Sequence, residues 1–205
     1  MTDGITIQRH IGSVPDEVLT AISELRVTVF RAWPYLYDGA AEYEASYLSE
    51  FAAAEDAVVI SAMADGRTIG AATAAPLMSH TPEFAELFAA HGYDPDGVFY
   101  LGESVLLSEF RGRGIGHAFF DEREAAGREI GAKRGRPFNV FSFCGVVRQP
   151  DDPRRDADVR PLDPFWRRRG YQPVEGMLGN YDWAEDGSTV EVPHPMQFWV
   201  RPAGV

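Results

Sequence analysis

The chain of 205 residues has little cysteine and no long hydrophobic run. Cys144 is the only cysteine, which excludes an internal disulfide framework and a zinc site built on cysteines. No stretch approaches the roughly 20 apolar residues that a membrane helix needs, and the first residues lack the charged and apolar regions of a secretory signal. The sequence therefore predicts a single domain over residues 1–205, located in the cytoplasm and without membrane contact.

Basic residues are also scarce, with 19 Lys and Arg against 31 Asp and Glu and a net charge of −12. This balance argues against nucleic-acid binding, which depends on cations that neutralise phosphates. Fourteen of the 19 basic residues lie between Arg111 and Arg169. A locally basic segment in an acidic protein favours a compact anionic ligand over a long polyanion.

The sequence shows neither a histidine metal site nor a serine nucleophile motif. The five histidines are scattered without the spacing of metal ligands, so no metal is expected. A Gly-x-Ser-x-Gly elbow or a comparable Ser/His/Asp arrangement is absent from the sequence.

Hydrophobic spacing predicts strands and helices that alternate along the chain. Asp65-Gly66 separates two apolar segments and is a strong hairpin signal. Two long apolar strands are expected over residues 98–107 and 138–147, with an amphipathic helix over 114–131 between them. This order favours an α/β fold with a mixed sheet and helices on its faces.

The most informative stretch joins the strand over 98–107 to the helix that follows. Its loop contains three glycines at alternate positions, at residues 112, 114 and 116. Glycines let the backbone approach a ligand closely, and the free N–H groups at a helix start attract anions. Side-chain donors are supplied by Arg111, Arg113 and His117. The stretch therefore has the features of a pyrophosphate-binding loop.

Three kinds of phosphate-binding loop compete for this stretch. A P-loop is rejected because no Lys follows Gly116. A nicotinamide-dinucleotide site remains an alternative. Its Gly-x-Gly-x-x-Gly pattern, however, would need the third glycine one residue later than Gly116, and that fold places the pattern in its first strand–helix turn, not after about 110 residues. The third pattern, Arg-x-x-Gly-x-Gly between a strand and a helix, fits residues 111–116 at every position. It resembles the coenzyme A signature of the GNAT family of N-acetyltransferases.

The resemblance extends to the elements around the signature. The segment Phe165-Trp166-Arg167-Arg168-Arg169-Gly170-Tyr171 is similar to the family's short helix that ends in an aromatic, Gly and another aromatic residue. The resemblance implies a mixed, mostly antiparallel sheet that is splayed between the strands over 98–107 and 138–147. It also implies an acyltransferase that uses acetyl-CoA.

The family pattern assigns coenzyme-binding residues. Backbone groups of Val105, Leu106 and Leu107 would bind the pantetheine arm. Phe165 and Trp166 would lie beside the thiol end. The pyrophosphate would be held by the loop and first helical turn, which comprise Arg111, Gly112, Arg113, Gly114, Ile115, Gly116 and His117.

Glu103 is the candidate general base. It is a carboxylate within an apolar strand, where desolvation would make it a stronger base, and many family members carry Glu at this place. Strand alternation predicts that Glu103 shares a face with Phe99, Leu101, Val105 and Leu107. The alternative is an outward-facing or salt-bridged Glu.

A second catalytic position departs from the family pattern. Trp166 stands where many members carry a Tyr acid, and an indole N–H is not a usable acid near neutral pH. Tyr171, Tyr181, Tyr37 or solvent are alternatives for protonating the leaving thiolate. Cys144 is interpreted as a small core residue, with a nucleophile as the alternative.

The acceptor is expected to be a primary amine, and a small molecule is favoured over a peptide. Trp33, Tyr35 and Tyr37, in an aromatic loop, are candidate pocket walls. Arg148, at the start of a long charged loop, is a candidate for gripping a carboxylate on the acceptor. A non-catalytic acetyl-CoA-binding module is an alternative function, and the resemblance leaves a homodimer as an option.

Overall fold

A computed structural model describes residues 4–155 and 158–204. Seven strands form one sheet with the order β1-β2-β3-β4-β5-β7-β6. The strands are β1 (Ile5–Ile11), β2 (Val58–Ala64), β3 (Arg67–Pro76), β4 (Val98–Leu106), β5 (Val140–Val146), β6 (Gln172–Ala184) and β7 (Glu191–Pro202). The helices are α1 (Asp16–Phe30), α2 (Ala41–Ala53), α3 (Leu77–His80), α4 (Ala85–Ala90), α5 (Ile115–Lys133) and α6 (Asp163–Arg168).

All neighbouring strands are antiparallel except β4 and β5, which are parallel. These two strands pair over only three residues each, Val98–Tyr100 on β4 and Val140–Ser142 on β5. Beyond this short ladder both strands continue without pairing to each other, so their backbone edges face an opening. The expected mixed, mostly antiparallel sheet that splays at this point is confirmed.

The predicted hairpin is present, with Asp65 and Gly66 between β2 and β3 at φ angles of 49° and 76°. Two positive φ angles match the right-handed twist of the flanking strands. The two C-terminal strands, β6 and β7, are the longest of the sheet, with 13 and 12 residues.

Strand β4 contains a bulge that changes which face its side chains occupy. Ala72 pairs with Ser104 and Ala74 pairs with Leu101, so Thr73 alone lies opposite both Gly102 and Glu103. An extra residue in one strand reverses the alternation beyond it. The prediction that Glu103 shares a face with Phe99 and Leu101 is therefore wrong.

The two faces of the sheet are covered by different helices. Phe99 and Leu101 pack with Ile115 and Phe119 of α5 on one face. Val105, after the bulge, packs with residues of α1 and α2 on the other face. Glu103 therefore lies on the α1–α2 face, where it contacts a side chain of α1.

Candidate functional site

The loop before α5 exposes backbone amides at the end of β4. Gly112 and Gly114 have φ angles of 77° and 85°, a conformation that strains most other residues. A Cβ at either position would meet no atom within 4 Å, so the space beside this loop is open. The first intrahelical bond is donated by Ala118 to Gly114, which leaves the N–H groups of residues 115–117 free for a ligand.

The side chains of the loop leave these amides accessible. Arg111 Nε donates to the Leu106 carbonyl at 3.4 Å, and Arg113 donates to the Glu109 carbonyl at 3.1 Å. Both arginines and His117 are exposed, and the first turn of α5 contains no acidic residue. The predicted loop therefore has a positive surface around a free helix N-terminus.

The unpaired edge of β4 begins next to this loop. The Leu107 amide donates to Ile69 on β3 at 3.0 Å, so it faces away from the opening. Since backbone groups alternate between the two edges of a strand, Leu106 directs its N–H group toward the opening. Of the three predicted pantetheine-binding residues, Leu106 is the one placed to bind an added strand there, whereas Val105 and Leu107 face β3.

The two aromatic residues of α6 lie at different places. Phe165 contacts the first turn of α5, with its ring centroid 4.9 Å from that of His117. Trp166 packs against Phe143 at 4.9 Å and would meet a Cβ at Gly145 of β5 at 3.0 Å. Phe165 thus adjoins the loop and first helical turn over residues 111–117, which we call the amide-rich loop. Trp166 covers the β5 side of the opening.

Glu103 lies on the opposite, α1–α2, side of the opening. Its Oε2 forms an ion pair with Arg26 of α1, and its Oε1 is buried without a hydrogen-bond partner. The salt-bridged arrangement raised as an alternative is present, but only one of the two carboxylate oxygens takes part in it.

The bulge that directs Glu103 is held by two other side chains. Thr73 Oγ1 accepts a hydrogen bond from the Glu103 amide at 3.2 Å and occupies the space where a Cβ of Gly102 would lie. Arg123 of α5 is fully buried and donates to the carbonyls of Thr73 and Glu103, both at 3.3 Å. Burial lowers the pKa of Arg123 to about 10, so the guanidinium is still charged at neutral pH.

Several residues around Glu103 were not found from the sequence. Arg26 also pairs with Glu44 of α2, and its guanidinium lies 4.6 Å from the Tyr47 ring centroid. The Tyr47 hydroxyl lies 3.2 Å from Nε2 of His80, and burial lowers the pKa of that imidazole. The available signal was Arg26 itself, a charged residue in line with the buried Ile22 and Leu25 of α1.

The predicted aromatic loop does reach this cluster. Burial raises the pKa of Tyr35, and Glu103 and Arg26 are among the charges that act on its hydroxyl. Burial and Glu44 raise the pKa of Tyr37. Trp33 lies farther out, with its ring 5.7 Å from the guanidinium of Arg148.

Arg148 is occupied by protein acceptors. It donates to the carbonyls of Pro34 and Tyr35 at 2.6 and 2.9 Å and also pairs with Glu185 at the end of the β6–β7 hairpin. Its donors thus serve the aromatic loop and the hairpin, an arrangement that does not match the predicted grip on an acceptor carboxylate.

Glu185 connects further residues to the same place. It accepts a hydrogen bond from Arg154 and lies 3.0 Å from Nε2 of His194. Partial burial acts to raise the pKa of Glu185, but the hydrogen bonds from Arg148, Arg154 and His194 lower it to about 2. We refer to Arg148, Arg154, Glu185 and His194 as the Glu185 network.

Tyr171 lies on the other side of the sheet from Glu103. It is fully buried, and its hydroxyl donates to Glu124 of α5 at 3.0 Å. Tyr181, in contrast, is close to Cys144 and Tyr100 near the opening, and burial raises its pKa. Of the tyrosines considered for thiolate protonation, Tyr171 already donates its hydroxyl proton to Glu124 and lies away from Glu103.

Cys144 lies on β5, with Sγ 3.0 Å from the Tyr100 hydroxyl. Burial raises the pKa of its thiol to about 12, so very little thiolate exists at neutral pH.

The low thiolate fraction of Cys144 leads to a labelling prediction. We expect the folded protein to react with iodoacetamide at pH 8 about 100-fold more slowly than free cysteine. We also expect Cys144→Ser to keep the acetyl-transfer rate of the wild-type protein. The urea-unfolded chain is the control. Labelling of folded protein at the rate of free cysteine would contradict the interpretation of Cys144 as a core residue.

Residues 4–155 and 158–204 lack two further features, a cluster of metal ligands and a membrane-spanning helix. In this part of the chain, no group of three or more His, Cys, Asp or Glu side chains is placed to hold a metal ion. None of the helices described is long and apolar enough to cross a membrane.

Comparisons of the structure identify the fold. It is similar to a ribosomal-protein-alanine N-acetyltransferase from Brucella melitensis, with a TM-score of 0.58 and 14% identity over 96% of this chain and 99% of that one. An acyl-CoA N-acyltransferase from Pseudomonas aeruginosa gives 0.54 and 16% over 96% and 99%. A GNAT-family acetyltransferase from Streptococcus pneumoniae gives 0.55 and 9% over 97% and 98%.

Comparisons of the sequence alone find no related family or protein. No protein-family profile matches the sequence, and no curated protein matches it. The similarity is therefore carried by the order and pairing of the elements.

Proposed function

On the premise that the chain has the GNAT acetyltransferase fold, we propose that it transfers an acetyl group from acetyl-CoA to a primary amine, acting as one domain. The observation that carries this proposal is the position of the amide-rich loop at the mouth of the β4–β5 opening, with Glu103 on the opposite side of the same opening. An anion site and a carboxylate separated by an unpaired strand edge suit a reaction between an anionic coenzyme and a cationic amine.

The residues present fit acetyl-CoA. The open space beside Gly112 and Gly114 and the free amides of residues 115–117 would hold its pyrophosphate. The edge of β4 at Leu106 would bind the pantetheine arm, and Phe165 would line its path. When bound, acetyl-CoA supplies the acetyl thioester.

Glu103 is the general base in this proposal. An amine is protonated at neutral pH and must lose a proton before it can attack a carbonyl carbon. The free Oε1 of Glu103 is a hydrogen-bond acceptor on the acceptor side of the opening and would take that proton. His80, which is uncharged at neutral pH because burial lowers its pKa, is the second basic group near this side.

The surroundings of the opening support a small acceptor. The aromatic loop with Tyr35 and Tyr37, the loop with Arg148 and the end of the β6–β7 hairpin are joined by the Glu185 network, and Glu103 acts electrostatically on the Tyr35 hydroxyl. Such an enclosure suits a compact amine better than an extended peptide. A cytoplasmic location and a homodimer stay predictions.

A thermal-shift titration with acetyl-CoA, CoA and NADPH tests the coenzyme. We expect a saturable rise of about 5 to 10 °C in Tm with both CoA compounds at 100-fold excess over Kd, because they bind only the folded state. A rise with NADPH alone would favour a nicotinamide-dinucleotide enzyme, and no rise would reject both. Thiol release in the presence of small amines and of peptides then separates the two acceptor classes, and its absence with all of them favours a non-catalytic module.

A further inference from the structure

The charged groups around Glu103 form a chain across three elements. Arg26 of α1 bonds Glu44 of α2 through Nε and Glu103 of β4 through Nη1. The side chain of Glu44 is 0% exposed, and those of Arg26 and Glu103 are 11% and 10% exposed. The aromatic ring of Tyr47 covers the guanidinium at 4.6 Å. Arg26 is thereby fixed by its two carboxylates and by an aromatic ring.

The charge of this group is not balanced. Two carboxylates share one guanidinium, so the three side chains carry one excess negative charge. Oε1 of Glu44 and Oε1 of Glu103 are both buried without a hydrogen-bond partner within 3.5 Å, and the Tyr37 hydroxyl is a further polar group that interacts with the Glu44 carboxylate. Buried acceptors without donors are costly, and a fixed excess charge of one sign favours a ligand of the opposite sign.

We propose that Arg26 and Glu44 are positioning residues for Glu103, and that the group they form receives the acceptor as an ammonium cation. This inference rests on the proposed acetyl transfer. Arg26 holds Oε2 of Glu103, which leaves Oε1 as the carboxylate oxygen without a partner. Oε1 takes one proton from the ammonium group, and the neutral amine attacks the thioester carbonyl. The C–S bond breaks as the C–N bond forms, the nitrogen gives its second proton to the departing thiolate through solvent, and Glu103 releases the first proton to solvent.

Glu44 has an electrostatic function in this arrangement. A guanidinium paired with Glu103 alone would stabilise the ionised carboxylate and weaken it as a base. Because Glu44 shares Arg26, it offsets part of that effect while the guanidinium still orients Glu103. The other polar groups that act on Glu103 are Tyr47, His80, Tyr35 and Arg123.

The test is the pH dependence of kcat/KM for wild type and Glu44→Gln. Loss of the Glu44 charge is expected to move the acid limb of the profile about one pH unit lower, and the plateau is expected to fall about threefold because the base is weaker. Glu42→Gln, on the exposed face of α2, is the matched control and keeps the wild-type profile. A Glu44→Gln profile with an unmoved acid limb would overturn the inference, even if kcat falls.

Arg26→Lys provides the second variant, in case Glu44→Gln does not fold. Lysine keeps the positive charge but cannot bond two carboxylates in the fixed geometry of arginine. We expect kcat to fall about tenfold, with an unmoved acid limb and an unchanged thermal shift with acetyl-CoA. A wild-type rate in this variant would overturn the positioning role.

Two further outcomes separate the causes of failure. If His80→Gln removes the acid limb, the limb belongs to His80 and the inference about Glu103 is overturned. If the wild-type protein acetylates no amine, the proposed function fails and this inference with it. If it does acetylate amines and the Glu44→Gln limb is unmoved, this inference alone fails.

Discussion

Replacing Glu103 by Gln is expected to lower kcat/KM for amine acetylation by about 100- to 10,000-fold, the usual contribution of a general base. Glutamine retains the shape of the side chain but cannot accept the ammonium proton. Arg26 keeps Glu44 as a partner, so the substitution leaves no isolated buried cation. The release of free thiol from acetyl-CoA in the presence of an amine measures the effect.

The thermal shift with acetyl-CoA should be unchanged in Glu103→Gln, since Glu103 lies on the side of the opening that we propose for the acceptor. Glu109→Gln is the matched control because Glu109 is exposed in the turn before the amide-rich loop. Activity of Glu103→Gln within twofold of wild type would show that the base is elsewhere, with His80 the next group to test.

Replacing Gly114 by Val is expected to abolish the thermal shift with acetyl-CoA, which corresponds to a loss of affinity of at least about 100-fold. The φ of 85° at this position is strained for any residue with a Cβ, by about 1–2 kcal/mol or more. In addition, the branched side chain would fill the open space beside the free amides of α5. Differential scanning fluorimetry with a series of acetyl-CoA concentrations measures both effects.

Gly135→Val separates backbone strain from loss of the binding site. Gly135 has a φ of 68°, follows the other end of α5, and also has open space at its Cβ. We expect this variant to have a lower Tm but to keep the full shift with acetyl-CoA. An acetyl-CoA shift in Gly114→Val as large as in Gly135→Val would show that the coenzyme does not bind at the amide-rich loop.

The elements that sequence alone predicted are those encoded by neighbouring residues. Asp65-Gly66 specifies a hairpin because the turn needs two positive φ angles, and those two residues tolerate them. The strand, loop and helix around residues 111–116 are likewise specified within one short segment. Hydrophobic spacing and turn chemistry act over a few residues, and they were sufficient to predict the fold class and the glycine-containing loop before α5.

The surroundings of Glu103 could not be predicted in the same way. The bulge at Gly102 and Glu103 depends on Thr73 and Arg123, which come from a neighbouring strand and from a helix on the other face. The pairing of Arg26 with Glu44 and Glu103 depends on how α1 and α2 pack on the sheet. Contacts of this kind leave no local pattern in the sequence. The face of the sheet on which Glu103 lies was therefore predicted wrongly.

The two sides of the opening also differ in how far apart their contacts are along the chain. The arginines of the amide-rich loop bond carbonyls four and five residues away. Arg148 and Trp183 bond the aromatic loop across 114 and 148 residues. Closing a long loop costs more entropy than closing a short one, and distant contacts form late in folding. The amide-rich loop is therefore expected to assemble first, and the aromatic loop with its distant partners is expected to be the first part of the site to open when the protein is destabilised.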